Sequence, residues 1–351
     1  MSMEDPVLCS LRGSTWSAFS ATKRALLVDR AFNYWRSRGF PYFQVSKRQV
    51  RLEFARLIEK DWKSVFCARA LCSSNVGLRL ANSFQPEMWK AKVNRYKSPI
   101  EIFNDDLLLR AAIERSLRIW PDRFGANASC LRRMLRSYSG AASVSNYRPM
   151  IAKAVITRYC RPGGVVVDFS AGYGGRLLGA LAANRTYFGI EPNRCQVSGY
   201  RRMVRSIAAA GFSLPAAKFL LGRAEDKLSS INSRNADLVF SSPPFFNWEH
   251  YSYSNSQSFR RYPRYELWKE NFLLPVMIQS FRVLQRDGYL VLNVSNGNRL
   301  PSPDDVNACA HMAGFGRMSS YRMLFPKLPY LHPRDGRPLK SELMLVFRKL
   351  C

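Results

Sequence analysis

The sequence predicts an α/β domain with a doubly wound, mostly parallel sheet over residues 146–351, preceded by a mainly α-helical domain over residues 1–145. In the second region, short runs rich in Val, Ile, Leu and Phe alternate with helical stretches, which is typical of βαβ units. In the first region, apolar residues recur at helical spacing. The small, polar segment 137–145 separates the two regions and marks the predicted domain boundary.

Two stretches carry the helical prediction for the N-terminal domain. In one, Leu109, Ile113 and Leu117 follow one another at i, i+4 and i+8 and form an apolar stripe. Asp105 and Asp106 precede this stripe, where carboxylates favour a helix N-terminus. The other stretch is TKRALLVDRAFNYWRSRGF, which closes on a glycine just before a proline.

Seven short apolar runs predict the strands of the second domain. In chain order they are GGVVVDFS, TYFGIE, AKFLLG, ADLVFS, GYLVLNV, SYRMLFPKL and SELMLVFRK. Helical stretches over 174–184, 193–210 and 266–286 separate most of the first five runs. Strands that alternate with helices form parallel pairs, because each return connection crosses the face of the sheet.

The composition is strongly basic. The chain has 351 residues, with 54 Lys and Arg against 25 Asp and Glu, and its formal net charge is +29. Basic side chains release counterions when they neutralise phosphates, so a nucleic acid is the predicted partner. The alternative is a solvated basic surface without a polyanionic partner.

Cysteine and histidine usage argues against a metal and against a disulfide framework. The eight cysteines form no CxxC pair, and the three histidines are far apart in the sequence. The N-terminus lacks an apolar signal core, and no apolar run is long enough to span a membrane. We therefore expect an intracellular protein, cytoplasmic or nuclear, with no metal and no membrane partner.

A glycine-bearing turn follows the first predicted strand. In VVVDFSAGYGGRLLGA (165–180) the strand ends at Asp168, and Gly172 and Gly174 lead into a helix. Glycines allow a ligand to approach the backbone closely, and this turn lies at the carboxyl end of its strand, where open α/β sheets bind cofactors. Asp168, Gly172 and Gly174 are therefore candidate cofactor-binding residues, together with Ser170 and Ala171.

Acidic residues at the ends of the next two strands indicate a nucleoside cofactor. Glu191 ends the second strand, where a carboxylate can accept hydrogen bonds from both ribose hydroxyls. Glu225 and Asp226 follow the third strand, within reach of an adenine edge, and Asp226 is the candidate for that contact. No Walker-type GK[ST] sequence is present, which argues against ATP.

The fourth strand ends in a rigid aromatic corner, SSPPFF, which no strand can continue because proline nitrogens cannot donate. With this corner, residues 146–351 resemble the class I S-adenosylmethionine-dependent methyltransferases. More narrowly, they resemble the exocyclic-amino DNA methyltransferases, whose hallmark [DNS]-P-P-[YFW] is here Ser242-Pro243-Pro244-Phe245. The family glycine motif F-x-G-x-G matches FSAGYGG with one extra residue before the first glycine.

The resemblance implies a Rossmann-like fold with a mostly parallel seven-stranded sheet and S-adenosylmethionine as cofactor. It also implies that a segment before the glycine motif closes over the methionine end of the cofactor, which makes Arg148 a candidate cofactor contact. The tetrad Ser242, Pro243, Pro244 and Phe245 would be the catalytic corner.

The chemistry of an exocyclic amine explains the corner. The lone pair of such an amine is delocalised into the ring, so the site must draw the nitrogen towards tetrahedral geometry. Ser242 and the Pro243 carbonyl can accept the two N–H bonds, which turns the lone pair towards the methyl sulfonium for in-line transfer. Phe245 offers a face for a flipped or single-stranded base.

The serine at the first position favours cytosine N4 over adenine N6 as the target, because the resemblance links Asp or Asn at this position more often to adenine. RNA is an alternative substrate. An inactive nucleic-acid-binding protein with a methyltransferase fold is a further alternative, which the intact Glu191 and the intact corner disfavour. A different methyl transfer with the same cofactor is disfavoured by the corner.

Aromatic and arginine residues are concentrated after the corner, over 246–268. They can stack on bases or bind phosphates, and the alternative is a lid that packs its own aromatics. The candidate nucleic-acid-binding residues are Trp248, Tyr251, Arg260, Arg261 and Arg264. Because the catalytic region has little room for a recognition domain, residues 1–145 are the candidate for that role.

Overall fold

The computed structural model of the chain describes residues 16–120, 127–137, 142–252, 254–296, 299–324 and 341–350. The helices, in chain order, are α1 (Ala21–Arg38), α2 (Lys47–Glu59), α3 (Leu78–Ser83), α4 (Pro99–Asn104), α5 (Asp106–Ile119), α6 (Ala128–Ser137), α7 (Pro149–Tyr159), α8 (Gly175–Ala182), α9 (Arg194–Ala209), α10 (Ala224–Lys227), α11 (Ser258–Arg261), α12 (Tyr265–Trp268), α13 (Leu274–Val283) and α14 (Pro303–Met312). A π-helical turn, Lys269–Leu273, joins α12 to α13.

The strands are β1 (Phe66–Cys67), β2 (Ala70–Leu71), β3 (Lys92–Val93), β4 (Val165–Asp168), β5 (Thr186–Glu191), β6 (Ala217–Leu221), β7 (Ala236–Ser241), β8 (Glu249–His250), β9 (Leu284–Asn296), β10 (Phe315–Met323) and β11 (Ser341–Lys349). The seven predicted strands correspond to β4–β7 and β9–β11, and the positions of six are confirmed. The sixth, β10, begins at Phe315, before the predicted run SYRMLFPKL (320–328), and residues 325–328 of that run lie outside the described residues.

The chain divides into two compact units. The helical unit consists of Met1–Gln44 and Pro86–Ser145, and the sheet unit consists of Val45–Gln85 and Asn146–Cys351. The division at Ser145 coincides with the predicted boundary. Residues 45–85, however, belong to the sheet unit, although the sequence analysis assigned them to the N-terminal domain.

The helical unit packs α1, α4, α5 and α6 around one core. The helices predicted from TKRALLVDRAFNYWRSRGF (22–40) and from the apolar stripe that follows Asp105 and Asp106 are confirmed as α1 and α5. Leu109 and Ile113 are fully buried on the predicted stripe. The Asp105 side chain accepts a hydrogen bond from the Leu108 amide at 3.1 Å and thereby caps α5. Periodicity and capping therefore explain the core helices of this unit.

The sheet unit contains a nine-stranded mixed sheet in the order β1-β2-β10-β11-β9-β7-β4-β5-β6. The strands β9, β7, β4, β5 and β6 are parallel, and β11 is antiparallel to both β9 and β10. The expectation of seven strands is therefore corrected to nine. The two additional strands have two residues each, which is too short for a periodic signal, and β2 extends the edge formed by β10.

Helices cover both faces of the sheet. Phe240 and Val291 face the core that α7, α8 and α9 cover, whereas Val239 and Leu290 face the core that α13 and α14 cover. Each strand therefore alternates between two apolar cores, as expected for a doubly wound sheet. The loops that follow the parallel strands all emerge at the same edge, which positions the candidate site.

Cysteine pairing differs locally from the sequence expectation. Cys67 and Cys72 form a disulfide across the turn between β1 and β2, where no disulfide framework was expected. The sequence separation of five residues encloses only this hairpin, so the link is local. In the part of the chain that the structure describes, no helix is long and apolar enough to cross a membrane.

A buried lysine connects residues 45–85 to the rest of the sheet unit. Lys153 of α7 is 6% exposed, and its Nζ donates to the carbonyls of Leu57, Ile58 and Lys60 at 3.0, 2.5 and 2.8 Å. These carbonyls end α2 and have no partner within that helix. The ammonium group therefore caps α2 from a neighbouring helix, which is a tertiary contact that local sequence cannot reveal.

We expect Lys153→Met to reduce the free energy of unfolding by about 1–3 kcal/mol, because it leaves the α2 carbonyls without a donor. Lys47→Met is the matched control, because Lys47 is an exposed residue of α2. Its free energy of unfolding should stay within about 0.5 kcal/mol of the wild-type value. Urea unfolding measures both variants. Equal stability of the two would contradict the capping role of Lys153.

Candidate active site

A buried carboxylate is the centre of hydrogen bonding at the carboxyl end of β4. Asp168 is fully buried and accepts from Arg176 Nε at 2.7 Å, from the Tyr187 hydroxyl at 2.7 Å and from Ser241 Oγ at 2.8 Å. The Ser170 amide donates to both Asp168 and Ser241. Asp168 was predicted as a cofactor contact, but its oxygens face these internal donors, so it supports the turn from below.

Arg176 extends this network to the catalytic corner. Its guanidinium is 5% exposed and forms a buried ion pair with Asp168. Its Nη1 donates to Ser242 Oγ at 2.9 Å, and its Nη2 donates to the Ser170 carbonyl. Arg176 was not among the site residues that the sequence predicted. Its place directly after the glycine turn was the available signal, because a side chain there can reach the end of the neighbouring strand.

The glycines of the turn serve different purposes. Gly174 adopts a left-handed φ of 77° and forms the N-cap of α8. At Gly175, a Cβ would lie 1.9 Å from the Tyr147 carbonyl, so glycine allows that segment to pass closely. Asn146 braces the turn there, since it accepts from the Gly175 amide at 3.0 Å and donates to the Tyr173 carbonyl at 2.9 Å.

Among the predicted cofactor residues, Ala171 is buried, whereas Gly172 has a left-handed φ of 59° and its Cβ position is nearly open. The hydroxyl of Tyr200 donates to the Gly172 carbonyl and holds this part of the turn. Gly172 is therefore the position at which a ligand can approach the backbone most closely.

Glu191, the predicted ribose contact at the end of the second strand, lies beside Gly172. Its carboxylate accepts from the Gly172 amide at 3.1 Å and from the Asn193 amide at 3.0 Å. Burial raises the pKa of Glu191 to about 8, although these two amide hydrogen bonds lower it. With its amide nitrogen turned towards Glu191, Gln196 also donates to both carboxylate oxygens.

The two acids after β6 have different surroundings. Asp226, the predicted adenine contact, forms an exposed ion pair with Arg223 at 2.5 Å. Glu225 is half-buried, and burial raises its pKa. Its Oε1 is buried, and no donor in the described part of the chain reaches it. Glu225 therefore offers the unsatisfied acceptor at this position.

The two phenylalanines at the SPPF corner differ in burial. Phe246 has a left-handed φ of 43° and is buried against Tyr265 and Trp268, with ring centroids at 5.4 and 5.8 Å. A bulky residue rarely adopts this backbone conformation, so the aromatic cluster must hold it. Phe245 stays half-buried beside the half-buried Ser242. Phe246 thus anchors the corner, while Phe245 remains accessible.

Tyr251 and Trp248 lie inwards rather than on an open surface. The Tyr251 hydroxyl donates to Glu249, and its ring meets the ring of Tyr173 at 6.2 Å, over the glycine turn. Burial raises the pKa of Glu249 to about 7. Trp248 is half-buried, with the Arg299 guanidinium 4.7 Å above its ring. Tyr251 therefore connects the loop after the corner to the predicted cofactor turn, whereas Trp248 packs against Arg299.

The three predicted arginines lie at the surface. Arg260 and Arg261, on α11, and Arg264, before α12, are all exposed. The Arg261 guanidinium lies 5.4 Å from the Tyr262 ring centroid. Arg148, the predicted methionine-end residue, precedes α7 and lies close enough to Glu342 for their charges to interact. Among the described residues, no group of His, Cys, Asp and Glu is arranged to hold a metal ion.

Comparison of the sequence with protein-family models gives no match, and comparison with curated proteins gives none either. Among solved structures, an S-adenosylmethionine-dependent methyltransferase from Methanosarcina mazei is 14% identical over 56% of this chain and 97% of that protein, with a TM-score of 0.39. A magnesium protoporphyrin IX methyltransferase from Synechocystis, with bound S-adenosylmethionine, is 13% identical over 54% of this chain and 71% of that protein, with a TM-score of 0.36.

A candidate DNA modification methylase from Thermus thermophilus is 24% identical over 37% of this chain and 51% of that protein, with a TM-score of 0.27. At such identities and scores, the similarity says nothing of this chain's substrate. The strand order defines the fold class. Numbered from β4 within the sheet unit, it is 3-2-1-4-5-7-6, a Rossmann-like arrangement with an antiparallel seventh strand. The fold is therefore of the class I methyltransferase type.

We expect Arg176→Met to destabilise the fold by about 3–5 kcal/mol, because it leaves the Asp168 carboxylate buried without its cation. Combining it with Asp168→Asn should cost less than the sum of the two single changes, with a coupling of about 1–3 kcal/mol. The exposed pair Arg223 and Asp226 is the matched control, for which the coupling should stay within about 1 kcal/mol. Urea unfolding of both cycles measures this, and strict additivity at Asp168 and Arg176 would contradict the interpretation.

Proposed function

We propose that this protein is an S-adenosylmethionine-dependent methyltransferase that modifies an exocyclic base amine of DNA, with cytosine N4 favoured. One observation carries the proposal. Ser242 directly follows β7 and its Oγ accepts from Arg176, which follows the glycine turn, and the half-buried Phe245 comes three residues later. A fixed hydroxyl, a rigid proline corner and an aromatic face are the groups that the binding of a planar base amine requires.

The acceptors at the strand ends fit S-adenosylmethionine. Glu191 lies within hydrogen-bond distance of the open Gly172 backbone, where its carboxylate can accept from ribose hydroxyls. Glu225 offers a buried acceptor without a donor, which suits the adenine amine better than the ion-paired Asp226 does. When bound, this cofactor supplies an electrophilic methyl group on its sulfonium.

Ser242 can act as an acceptor in this geometry. A hydroxyl oxygen has two lone pairs, and Arg176 occupies one of them at 2.9 Å. The second lone pair can accept an amine N–H, while the fixed guanidinium prevents the hydroxyl from turning away. Because Asp168 neutralises Arg176, the amine can develop positive charge without facing an unpaired cation.

The charge distribution supports a nucleic-acid substrate. The net charge is +29, and Arg260, Arg261 and Arg264 are exposed in the segment that follows the corner. Such residues can bind the phosphates that flank a flipped or single-stranded base. Adenine N6 and RNA are the alternatives that keep the same mechanism, and a purely binding role is the alternative that discards it.

The identity of the product tests the proposal directly. We expect the purified protein, given S-adenosylmethionine and duplex DNA, single-stranded DNA or RNA, to produce N4-methyl-2′-deoxycytidine, identified by mass spectrometry after digestion to nucleosides. N6-methyl-2′-deoxyadenosine would move the target to adenine, and a methylated ribonucleoside would move it to RNA. The absence of any methylated nucleoside, with cofactor binding demonstrated, would contradict the proposal and favour a binding role.

We expect Ser242→Ala to reduce the methylation rate about a hundredfold or more while the affinity for S-adenosylmethionine stays nearly unchanged, because the hydroxyl contacts the amine and not the cofactor. Single-turnover kinetics and calorimetry measure the two quantities. An equal loss of rate and of cofactor affinity would reject this role for Ser242.

Cofactor affinity should depend on pH through Glu191. Its pKa is about 8 in the free protein, and the ribose hydroxyls bind its ionised form better, so binding lowers this pKa and releases a proton. The association constant should therefore rise with pH between about 6 and 8, by up to about tenfold per pH unit, and level off above that range. Calorimetry measures this dependence, and Glu191→Gln should remove it. A pH-independent affinity of the wild type would contradict this role.

A further inference from the structure

Polar side chains continue from Ser242 along the face of the sheet that α7 covers. The register of β7 with β9 pairs Phe240 with Val291, and both belong to the core on that face. Because side chains alternate along a strand, Ser242 and Asn293, each two residues further on, also face this side. The last pair in this register is Ser241 with Leu292, and extending it by one residue places Asn293 opposite Ser242, which directly follows β7.

The orientation of the Asn293 amide is fixed by Glu342. The Asn293 Nδ2 donates to Glu342 Oε2 at 2.5 Å, and an ionised carboxylate can only accept, so the nitrogen must face Glu342. Burial raises the pKa of Glu342, and the hydrogen bond from Asn293 and the attraction to Arg148 and Arg299 partly offset that rise. Glu342 lies on β11, on the other side of β9 from β7. The amide oxygen lies on the opposite side of the amide group from this nitrogen and therefore faces away from Glu342.

The amide oxygen of Asn293 is buried and unsatisfied. Asn293 is 3% exposed, and within the described ranges of the chain no donor reaches its Oδ1. Buried polar atoms in proteins almost always have a partner, and an exception beside a reacting group indicates a donor that the ligand supplies. The roles proposed for the glycine turn and the SPPF corner do not involve this atom, and the sequence predicted its strand only as an apolar run.

We propose that Asn293 is a substrate-binding residue whose Oδ1 accepts one N–H of the target amine, and that Glu342 is the positioning residue that holds this oxygen towards Ser242. The inference rests on the proposed function, because it assigns the second acceptor of the same amine. An exocyclic amine of cytosine or adenine carries two N–H donors. Ser242 accepts one and Asn293 accepts the other, in place of the Pro243 carbonyl that the sequence suggested as the second acceptor, which fixes the plane of the base from two neighbouring strands.

The first test compares Asn293→Leu with Ser295→Ala. Leucine keeps the size of the side chain and removes the amide, whereas Ser295 is buried on the same face one step along β9 and serves as the matched control. Both are measured by single-turnover methylation on whichever polymer the wild type methylates, and by calorimetry with S-adenosylmethionine. We expect Asn293→Leu to lower the rate at least about tenfold at an unchanged cofactor affinity, and Ser295→Ala to stay within about twofold of the wild type.

The second test separates positioning from packing at Glu342. Glutamine keeps an oxygen that can accept from the Asn293 amide, so Glu342→Gln should retain most of the rate. Glu342→Leu should lose about as much as Asn293→Leu, because the amide is then free to rotate. A purely structural role would make the two Glu342 variants alike. This comparison also decides the proposal if Asn293→Leu fails to fold.

The wild-type measurement distinguishes the two levels of inference. If the wild type forms no methylated base, the proposed function fails and the role of Asn293 fails with it. If the wild type is active and Asn293→Leu is as fast as Ser295→Ala, or the two Glu342 variants have equal rates, only the role of Asn293 is overturned. A selective loss in Asn293→Leu and Glu342→Leu, with rescue in Glu342→Gln, supports it.

Discussion

The buried ion pair between Asp168 and Arg176 constrains the whole site. A carboxylate with no solvent exposure is stable only beside a cation and several donors, and Asp168 has both. Because Arg176 begins α8 and also reaches Ser242, the pair joins the end of β4, the start of that helix and the catalytic corner. The glycine turn runs from β4 to α8, so the ion pair that joins these two elements also constrains the path of the turn. Neutralisation of Arg176 also leaves the corner without net positive charge.

Acidic and basic residues are divided between interior and surface. Asp168, Glu191, Glu249 and Glu342 are acids gathered in the loops and strand ends near the corner, whereas the exterior carries the excess of arginine and lysine. Burial raises the pKa of the last three, so their charge depends on the partners they find. Under the proposed function, this division is suitable for a cationic cofactor inside and a phosphate backbone outside.

The loop after the corner has features of both interpretations that the sequence left open, namely contact with nucleic acid and a lid that packs its own aromatics. Its arginines are exposed, as a phosphate-binding role requires, whereas Tyr251 packs against Tyr173 of the glycine turn and the half-buried Trp248 packs against Arg299. The aromatic residues therefore act more as a cover for the site, and the arginines remain as the candidate contacts to nucleic acid. The left-handed Phe246 fixes where this loop begins. A single segment can thus serve both the cofactor side and the substrate side.

The sequence by itself determined the seven principal strands, the two long helices of the helical unit, the glycine turn and its partner Glu191, because periodicity, spacing and proline geometry are local properties. Only the tertiary structure assigned residues 45–85 to the sheet unit, since two-residue strands and a lysine cap carry no periodic signal. Only the tertiary structure places Arg176 in contact with Ser242, and Asn293 in contact with Glu342. Those contacts join residues 66 and 49 positions apart, and strand order, which no single segment encodes, decides which distant side chains become neighbours.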